Sequence, residues 1–376
     1  MRAPNDARPN DARHLLVRLD LPREAEVILH RPEYWNVAVC EGYFELCEEW
    51  LYHAPEDALE AAEIAPRLAL ILPEEGGEQG RLRHRERLVR GYAILGGACR
   101  AAGRHRASER AYAQALRAGR QGISQALRCQ LDRWMAYLRC AQHRLEEALE
   151  LADRAVELSD SDNARGGALV VRGYVHVRMG YFSDGVRDFS KALSMIDLDS
   201  DPANRRRLLR VRYAATHNLA HAISRSPSPE SLETARSQLR RARQLMPAHG
   251  RSLPRHQLCW LEGQCLIKLG SARHGEALLR RAREGFRDVG APFEMALAGL
   301  DLSELYRKER RWAELAELAS DTFQRFERLS ADTEAVAALS LWLKAAGRAR
   351  LGGELIHKVR CQLDAARGRH PLPGRD

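Results

Sequence analysis

The sequence predicts an all-α protein in which helical hairpins repeat along the chain and stack into a solenoid. Two observations carry this prediction. From about Leu21 onward, apolar residues recur at spacings of three and four, as they do on one face of an α-helix, and not in the alternation of a strand. Short breaks rich in Gly, Asp, Ser or Pro, the residues that end helices and form turns, separate the helical stretches.

The composition fits a long folded chain. Of its 376 residues, 45% are hydrophobic and 30% charged, which is too apolar for a disordered polymer. A single compact core stops growing near ~250–300 residues, so this length favours several domains or an extended repeat. No stretch has the length and apolarity of a membrane-spanning helix, and the first residues lack the apolar segment of a signal peptide.

The eight cysteines form no CxxC pair, and most lie on the apolar faces of the expected helices. This pattern fits neither a zinc ribbon nor the disulfide framework of a secreted protein. We therefore expect the cysteines to be reduced packing residues. The corresponding expectation for the protein is a cytoplasmic location, with no metal ion and no cofactor.

The clearest repeat places a large residue and a Leu-Gly pair on a first helix, a glycine at the turn, and a small–aromatic–small pattern on a second helix. Its residues are Tyr92, Leu95, Gly96, Gly103, Ser108, Tyr112 and Ala115. Small residues let two antiparallel helices approach closely, and the aromatic ring fills the gap to the next hairpin. The pattern resembles the tetratricopeptide repeat (TPR), and the resemblance implies a TPR-like α-α-hairpin solenoid that forms a right-handed superhelix.

The pattern recurs, with decreasing regularity, along the rest of the chain. Further hairpins are expected at 129–158, 166–195, 213–245, 256–285, 296–326 and 331–366. The intervals from Gly103 to Gly180 and from Gly270 to Gly347 are equal, as two repeats each would be. The repeat is longer than the ideal TPR unit of ~34 residues, which leaves HEAT-type or other α-α repeats open. Small residues inside both helices favour about six or seven TPR-like hairpins.

The chain is predicted to divide into four parts. Residues 1–13, with their tandem PNDAR, and residues 369–376 are expected to form disordered tails. Residues 14–80 form a helical N-terminal cap, which contains a hairpin at 35–53 and 55–72. Residues 81–368 form the TPR-like repeat array, which ends in a capping helix near 351–366.

A more specific resemblance rests on three segments: WLEGQCLIKLG at 260–270, FRDVGAPFEMALAGLDLSELYRKERRWAELAELA at 286–319 and EAVAALSLWLKAAG at 334–347. In these the chain resembles bacterial TPR proteins that occur alone or behind a helix-turn-helix domain in proteins assigned as transcriptional regulators. The likeness runs from about Ala38 to Ala366. Residues 1–33 are too short and too proline-broken for a helix-turn-helix, so the resemblance implies a sensing or scaffolding array without its own DNA reader.

The TPR register also predicts a binding groove. First helices line the concave side of a TPR stack, so equivalent residues of successive hairpins converge there. The predicted groove residues are Arg133, Tyr137, Tyr174, Arg178, His217, His221, Trp260, Gln264, Lys268 and Arg307. Aromatic bodies with Arg, Gln or Lys ends suit an extended or helical peptide that carries acidic groups. Packing against the neighbouring hairpin is the alternative role of Trp260.

His217 and His221 also have the i, i+4 spacing at which two imidazoles share a metal ion. The intervening residues contain no Glu in an HExxH frame, and no third ligand is near in sequence. We therefore predict no metal site, and a metal or small-ligand sensor is kept as an alternative function.

The charge is strongly basic, with a formal net charge of +9 from 60 Lys and Arg residues, of which only five are lysine. Basic runs occur at 81–87, 204–212, 240–243 and 280–283. A nucleic-acid reader interleaves stacking aromatic residues with basic ones, and these runs contain almost none. Solvated helix faces with acidic partners, such as Glu276 beside Arg280, are the favoured interpretation. A sequence-independent nucleic-acid-binding α-solenoid is the alternative.

Motifs of catalysis are missing from the sequence. It has no P-loop, no GxGxxG after a strand, no GxSxG and no HExxH. The predicted function is therefore non-enzymatic: a protein-interaction scaffold or regulatory module that holds a protein or peptide partner, of acidic character, in the concave groove.

Overall fold

The computed structural model describes Leu16, Leu19 and residues 24–328, apart from 54, 75, 199–203, 227 and 246–252. The predicted tails at 1–13 and 369–376 lie outside the described residues, and so do the hairpin at 331–366 and its capping helix.

The described residues form helices and turns, with no strand among them. A short helix α1 (Val27–His30) precedes seven helix pairs. The first helices of these pairs are α2 (Val37–His53), α4 (Gly77–Ala101), α6 (Gln125–Ala141), α8 (Asp162–Met179), α10 (Arg205–Ile223), α12 (Leu253–Lys268) and α14 (Pro292–Glu309). The second helices are α3 (Pro55–Ile71), α5 (His105–Ala118), α7 (Leu145–Glu157), α9 (Phe182–Met195), α11 (Pro229–Gln244), α13 (Ala272–Asp288) and α15 (Trp312–Arg328). The predicted series of α-α hairpins is thereby confirmed for this part of the chain.

Five of the hairpins turn at a residue with left-handed backbone. Three are glycines that the sequence marks as turns, Gly103 (φ 72°), Gly180 (φ 88°) and Gly270 (φ 84°). The turns of α6–α7 and α14–α15 instead use His143 (φ 58°) and Arg310 (φ 62°). A side chain makes this conformation cost ~1 kcal/mol more than it costs glycine. The repeat thus keeps the turn geometry even where it has lost the glycine.

Close helix packing explains the small–aromatic–small pattern of the α4–α5 hairpin. A Cβ atom at Gly96 would lie 2.8 Å from Cζ of Tyr112, so the missing side chain makes room for the ring. Ser108 Oγ donates a hydrogen bond to the Gly96 carbonyl at 2.7 Å. The same arrangement recurs in the α8–α9 hairpin, where a Cβ at Gly173 would lie 2.8 Å from Cε1 of Phe189.

Burial follows the repeat as well. Residues 101–110 and 141–150 have the same succession of buried, half-buried and exposed positions, and residues 171–180 and 261–270 share another. Equivalent positions of different hairpins therefore meet equivalent surroundings, as nearest-neighbour packing in a repeat protein requires.

The chain forms two compact units, Met1–Leu258 and Cys259–Asp376. The core of the first unit includes the fully buried rings of Tyr43, Phe44 and Phe189. Buried acids tie its helices together: Asp132 on α6 accepts two hydrogen bonds from Arg154 on α7, at 2.6 and 2.7 Å. In the second unit, Leu279, Leu302 and Leu315 form the centre of the core.

Reducing agents are expected to leave the fold intact. The seven cysteines among the described residues are buried and free. Burial raises the pKa of the Cys140 thiol to about 11, which makes it a packing group and not a reactive thiolate. Thermal unfolding with and without reductant checks this expectation. A midpoint that drops by more than ~10 °C in reductant would contradict it, because a shift of that size corresponds to the loss of a covalent cross-link.

A second expectation concerns an acidic side chain of the second unit. Glu276 accepts hydrogen bonds from Arg311 (2.7 and 3.1 Å), Tyr306 (3.0 Å) and Arg280 (2.9 Å). These bonds, with Arg311 the largest cause, lower the pKa of Glu276 from its ordinary 4.5 to about 2. Because the folded-state pKa is the lower one, this stabilisation is fully present above pH ~4.5 and is lost as the pH falls towards 2.

Glu276→Gln therefore lowers the free energy of unfolding by ~1 kcal/mol above pH ~5, since Arg311 keeps Glu309 and Glu314 as partners. Thermal midpoints of both proteins between pH 7 and pH 2.5 measure the effect. Their difference shrinks as the pH falls, and a difference that stays constant or grows would be contrary to this assignment.

Candidate functional site

One concavity of the first unit is a cavity of about 480 Å³, whose wall is built from first helices. Its lining residues come from α2, α4, α6, α8 and α10 and from the turns that precede α6, α8 and α10. Five arginines line it: Arg83, Arg87, Arg90, Arg133 and Arg207. Its three acidic residues are Glu41, Glu86 and Asp160. The excess of guanidinium groups makes the cavity electropositive.

Helix periodicity explains how one basic run supplies this wall. In the run at 81–87, Arg83 and Arg87 are four residues apart and share a face of α4 with Arg90, so all three line the cavity. Arg81 and Arg85 lie on another face, where they line a second cavity of about 340 Å³. The run at 204–212 supplies Arg207. The structure therefore brings together two basic runs that are far apart in sequence.

Arg133 is the predicted groove residue that lines the cavity. Its guanidinium lies against Gly167 of α8, where a Cβ atom would come within 2.8 Å of Nη2. Nε of Arg133 is shielded from solvent and makes no hydrogen bond within the described part of the chain. Arg87 is still more buried, with 4% of its surface exposed. The wall thus holds two arginines in fixed positions.

The acidic lining residues have partners of their own. Arg90 contacts Glu41 through Nη1 and binds Glu48 at 3.1 Å. Glu86 accepts a hydrogen bond from the backbone N–H of Ser124 at 2.7 Å. These contacts join α2 to α4 and α4 to the start of α6, so they brace the wall of the cavity.

Two tyrosines continue the cavity's surface along the first helices. Tyr137 lies one turn after Arg133 on α6, and its ring packs on Tyr174 of α8, with 5.4 Å between ring centroids. Arg100 of α4 lies over the Tyr137 ring at 5.6 Å. Arg178, one turn after Tyr174, is exposed. Four predicted residues therefore share one surface of the first unit, since Arg133, Tyr137, Tyr174 and Arg178 follow α6 and α8 at helical spacing.

His217 and His221 have a different setting. The His217 ring stacks on Tyr213 at 5.9 Å, and the Tyr213 hydroxyl donates to the carbonyl of Pro254 at 2.9 Å. Burial lowers the pKa of His217 below its ordinary value, so the ring is neutral at pH 7. His221 is half-buried. Within the described residues, no group of three or more His, Cys, Asp or Glu side chains is placed to hold a metal ion.

In the second unit, two predicted residues meet on one carboxylate. Trp260 Nε1 and Gln264 Nε2 each donate to Oδ2 of Asp301 at 2.6 Å. The Trp260 ring also packs edge-on against Phe286, with 5.8 Å between centroids. Phe286 belongs to the same hairpin as Trp260, whereas Asp301 lies on α14 of the neighbouring hairpin, so the indole contacts both. A binding role for Trp260 and for Gln264 stays a prediction.

The other two predicted residues of this unit lie near helix ends. Arg307 binds Glu304, one turn earlier on α14, through two hydrogen bonds of 2.7 and 2.6 Å. Lys268, the last residue of α12, is exposed. Their binding roles also remain predictions.

The basic run at 280–283 is engaged in ion pairs. Arg280 binds Glu276, its i, i+4 partner, at 2.9 Å, and Arg283 binds Asp321 on α15 at 2.6 Å. These contacts are those of a helix face with acidic partners, as the sequence predicted for this run. Sequence reasoning missed the convergence of Arg83, Arg87 and Arg207, because their positions depend on how α4 and α10 pack.

Solved structures with the same arrangement of hairpins include a Rap protein complexed with Competence and Sporulation Factor. It aligns over 92% of this chain and 92% of its own, with 15% identity and a TM-score of 0.57. The apo form of RapI aligns over 87% of each chain, with 13% identity and a TM-score of 0.50. A signal transduction ATPase from Pyrococcus horikoshii, which carries a tetratricopeptide repeat sensor, aligns over 99% of this chain and 58% of its own, with 12% identity and a TM-score of 0.54. The fold is a TPR-like helical solenoid.

No protein-family model matches the sequence of this TPR-like chain, and no curated protein sequence matches it. None of the helices that the structure describes is long and apolar enough to cross a membrane. The first helices of this TPR-like fold carry the cavity, the tyrosine pair and Arg178, which together are the candidate site.

Proposed function

We propose that this chain is a non-enzymatic interaction module that binds a peptide or a protein segment along the first helices of its first unit. Its role is that of a regulatory or scaffolding component. The observation that carries the proposal is the cavity of about 480 Å³, lined by five helices that all belong to this unit. That volume lies within the range of ligand-binding sites, ~300–1,000 Å³.

The surface beyond the cavity suits an elongated partner. Arg133 lines the cavity, while Tyr137, Tyr174 and Arg178 extend the same faces of α6 and α8 beyond it. Tyrosine and arginine are enriched among residues that dominate binding energy. A partner that follows these helices would place an acidic group among the arginines and apolar groups on the tyrosine pair.

Two further observations favour a peptide over a nucleic acid. None of the described residues that line the cavity is aromatic, so they offer a base nothing to stack on. The Rap protein to which the chain is similar was solved in complex with Competence and Sporulation Factor. That likeness supports a binding role for a chain with this fold.

A cytoplasmic location belongs to this proposal. It is supported by the seven cysteines of the described residues, which are buried thiols, and by burial that raises the pKa of Cys40, Cys47 and Cys140.

Selection of peptides from a random displayed library tests the proposal. We expect selected peptides to be rich in Asp and Glu, to bind in the micromolar range and to compete with one another for a single site. Peptides that bind equally well to a chain with Arg83, Arg133 and Arg207 all replaced by alanine would contradict it, and so would a library that yields no binder.

A further inference from the structure

The cavity of the first unit has a distinct charge pattern. Among the described residues, its lining side chains comprise five arginines and three acidic residues. Glu41 is in contact with Arg90, and Glu86 is held by the backbone N–H of Ser124. Two of the three carboxylates, and Arg90 with them, are therefore engaged in bracing the wall, and the described lining keeps an excess of guanidinium groups.

A buried donor points to the same conclusion. Nε of Arg133 is shielded from solvent and has no acceptor among the described residues. A buried N–H without an acceptor destabilises the wall, and a small reorientation of this guanidinium towards a bound oxyanion would give it an acceptor. Gly167 makes room for this guanidinium, because any Cβ there would collide with it at 2.8 Å.

Helix ends add to the positive field. The residues that precede α6, α8 and α10, namely Ser124, Ser161 and Asn204, all line the cavity. The amino end of a helix carries a partial positive charge, so three such ends lie along one wall. These helix ends add to the positive potential of the arginines, which remain the groups that would donate hydrogen bonds to a ligand.

We infer that this cavity binds a doubly charged phosphate group, carried by a phosphorylated side chain or by a small phosphate compound. The inference deepens the proposed function, on which the phosphorylated side chain rests. A phosphomonoester carries a charge of about −1.5 to −2 at pH 7, opposite in sign to the excess charge of the described lining side chains. Its oxygens can accept from guanidinium groups of α4, α6 and α10 at the same time. A nucleotide fits less well, since the lining residues that the structure describes include no aromatic side chain.

Calorimetric titration of the full chain tests the inference with three probes: inorganic phosphate, an acetylated and amidated Gly-phosphoserine-Gly peptide, and succinate. The unphosphorylated peptide is the blank, and the ionic strength is constant. The variants are Arg133→Ala and Arg207→Ala. Arg241→Ala is the matched control, because Arg241 is an exposed arginine on α11 outside the lining.

We expect phosphate and the phosphoserine peptide each to show saturable binding. For each probe, the natural chain and the Arg241→Ala control should have the same affinity. Arg133→Ala and Arg207→Ala each weaken binding at least ~tenfold. Saturation by inorganic phosphate alone assigns the site to a small phosphate compound. Saturation by the peptide assigns it to a phosphorylated side chain.

Three results would overturn the inference: no saturable binding of either phosphate probe, unchanged affinity in both cavity variants, or succinate binding as tightly as phosphate. Circular dichroism checks that the Arg133→Ala chain folds. If it does not fold, the affinity of Arg207→Ala decides the test, because that change removes an exposed side chain. If neither phosphate probe binds but the library selection still yields peptides, the phosphate site fails while the proposed function stands.

Discussion

Replacing Gly96 with alanine is expected to destabilise the first unit, whereas the same change at the next residue, Gly97, is expected to be neutral or stabilising. A Cβ at Gly96 would lie 2.8 Å from Cζ of Tyr112 and 2.9 Å from two neighbouring ring atoms. At Gly97 the nearest atom is Cδ1 of Leu51 at 3.5 Å, an ordinary van der Waals contact.

The ring of Tyr112 has little room to move away. It is 2% exposed and packs in a core cluster with Val89, Ala93 and Leu131. Overpacking of this kind costs up to ~3 kcal/mol, and alanine returns ~1 kcal/mol of helix propensity. The net loss at Gly96 is therefore about 2 kcal/mol, against a gain of up to ~1 kcal/mol at Gly97.

Thermal unfolding of the two single variants measures the contrast. At ~2–4 °C per kcal/mol for chains of this size, Gly96→Ala lowers the midpoint by about 4–8 °C. Equal midpoints for the two variants would show that the approach of α4 and α5 is not set by the small residue at position 96.

Removing Arg133 and Arg178 together is expected to weaken the binding of a selected acidic peptide at least ~tenfold. A tenfold change needs only ~1.4 kcal/mol, and arginine truncations at good interface sites cost ~2 kcal/mol or more. Arg133 lines the cavity and Arg178 is exposed on the neighbouring first helix, so both would contact one elongated partner. Calorimetric titration gives the two dissociation constants.

The matched control removes Arg240 and Arg241, two exposed arginines on the second helix α11. It loses the same net charge, and its affinity stays within about twofold of the natural chain. Arg280 and Arg283 are unsuitable for this purpose, because their ion pairs with Glu276 and Asp321 stabilise the second unit. Equal weakening by the control would mean that the peptide responds to overall charge and has no defined site.

Local patterns account for what the sequence predicted of the fold. Gly96 and Tyr112 belong to one hairpin, and helix periodicity places them face to face. The turns at Gly103, Gly180 and Gly270 were marked by glycine. The turns at His143 and Arg310 could not be recognised in this way, because their positive φ is imposed by the packing of the two helices and not by the residue type.

The candidate site was harder to predict, because it depends on contacts between hairpins. Asp301, which holds both Trp260 and Gln264, follows them by 41 and 37 residues, about one repeat. The register placed Trp260 on a first helix, but nothing in the sequence paired it with this carboxylate. Arg83 and Arg207 line one cavity only because α4 and α10 both contribute to its wall.

Hydrogen exchange of the full chain, with and without a bound selected peptide, tests the central claim most directly. Binding along the first helices predicts slower amide exchange along α6 and α8 and in the first half of α10, and unchanged exchange in α7, α9 and α11. Slower exchange confined to α7, α9 and α11 would contradict it.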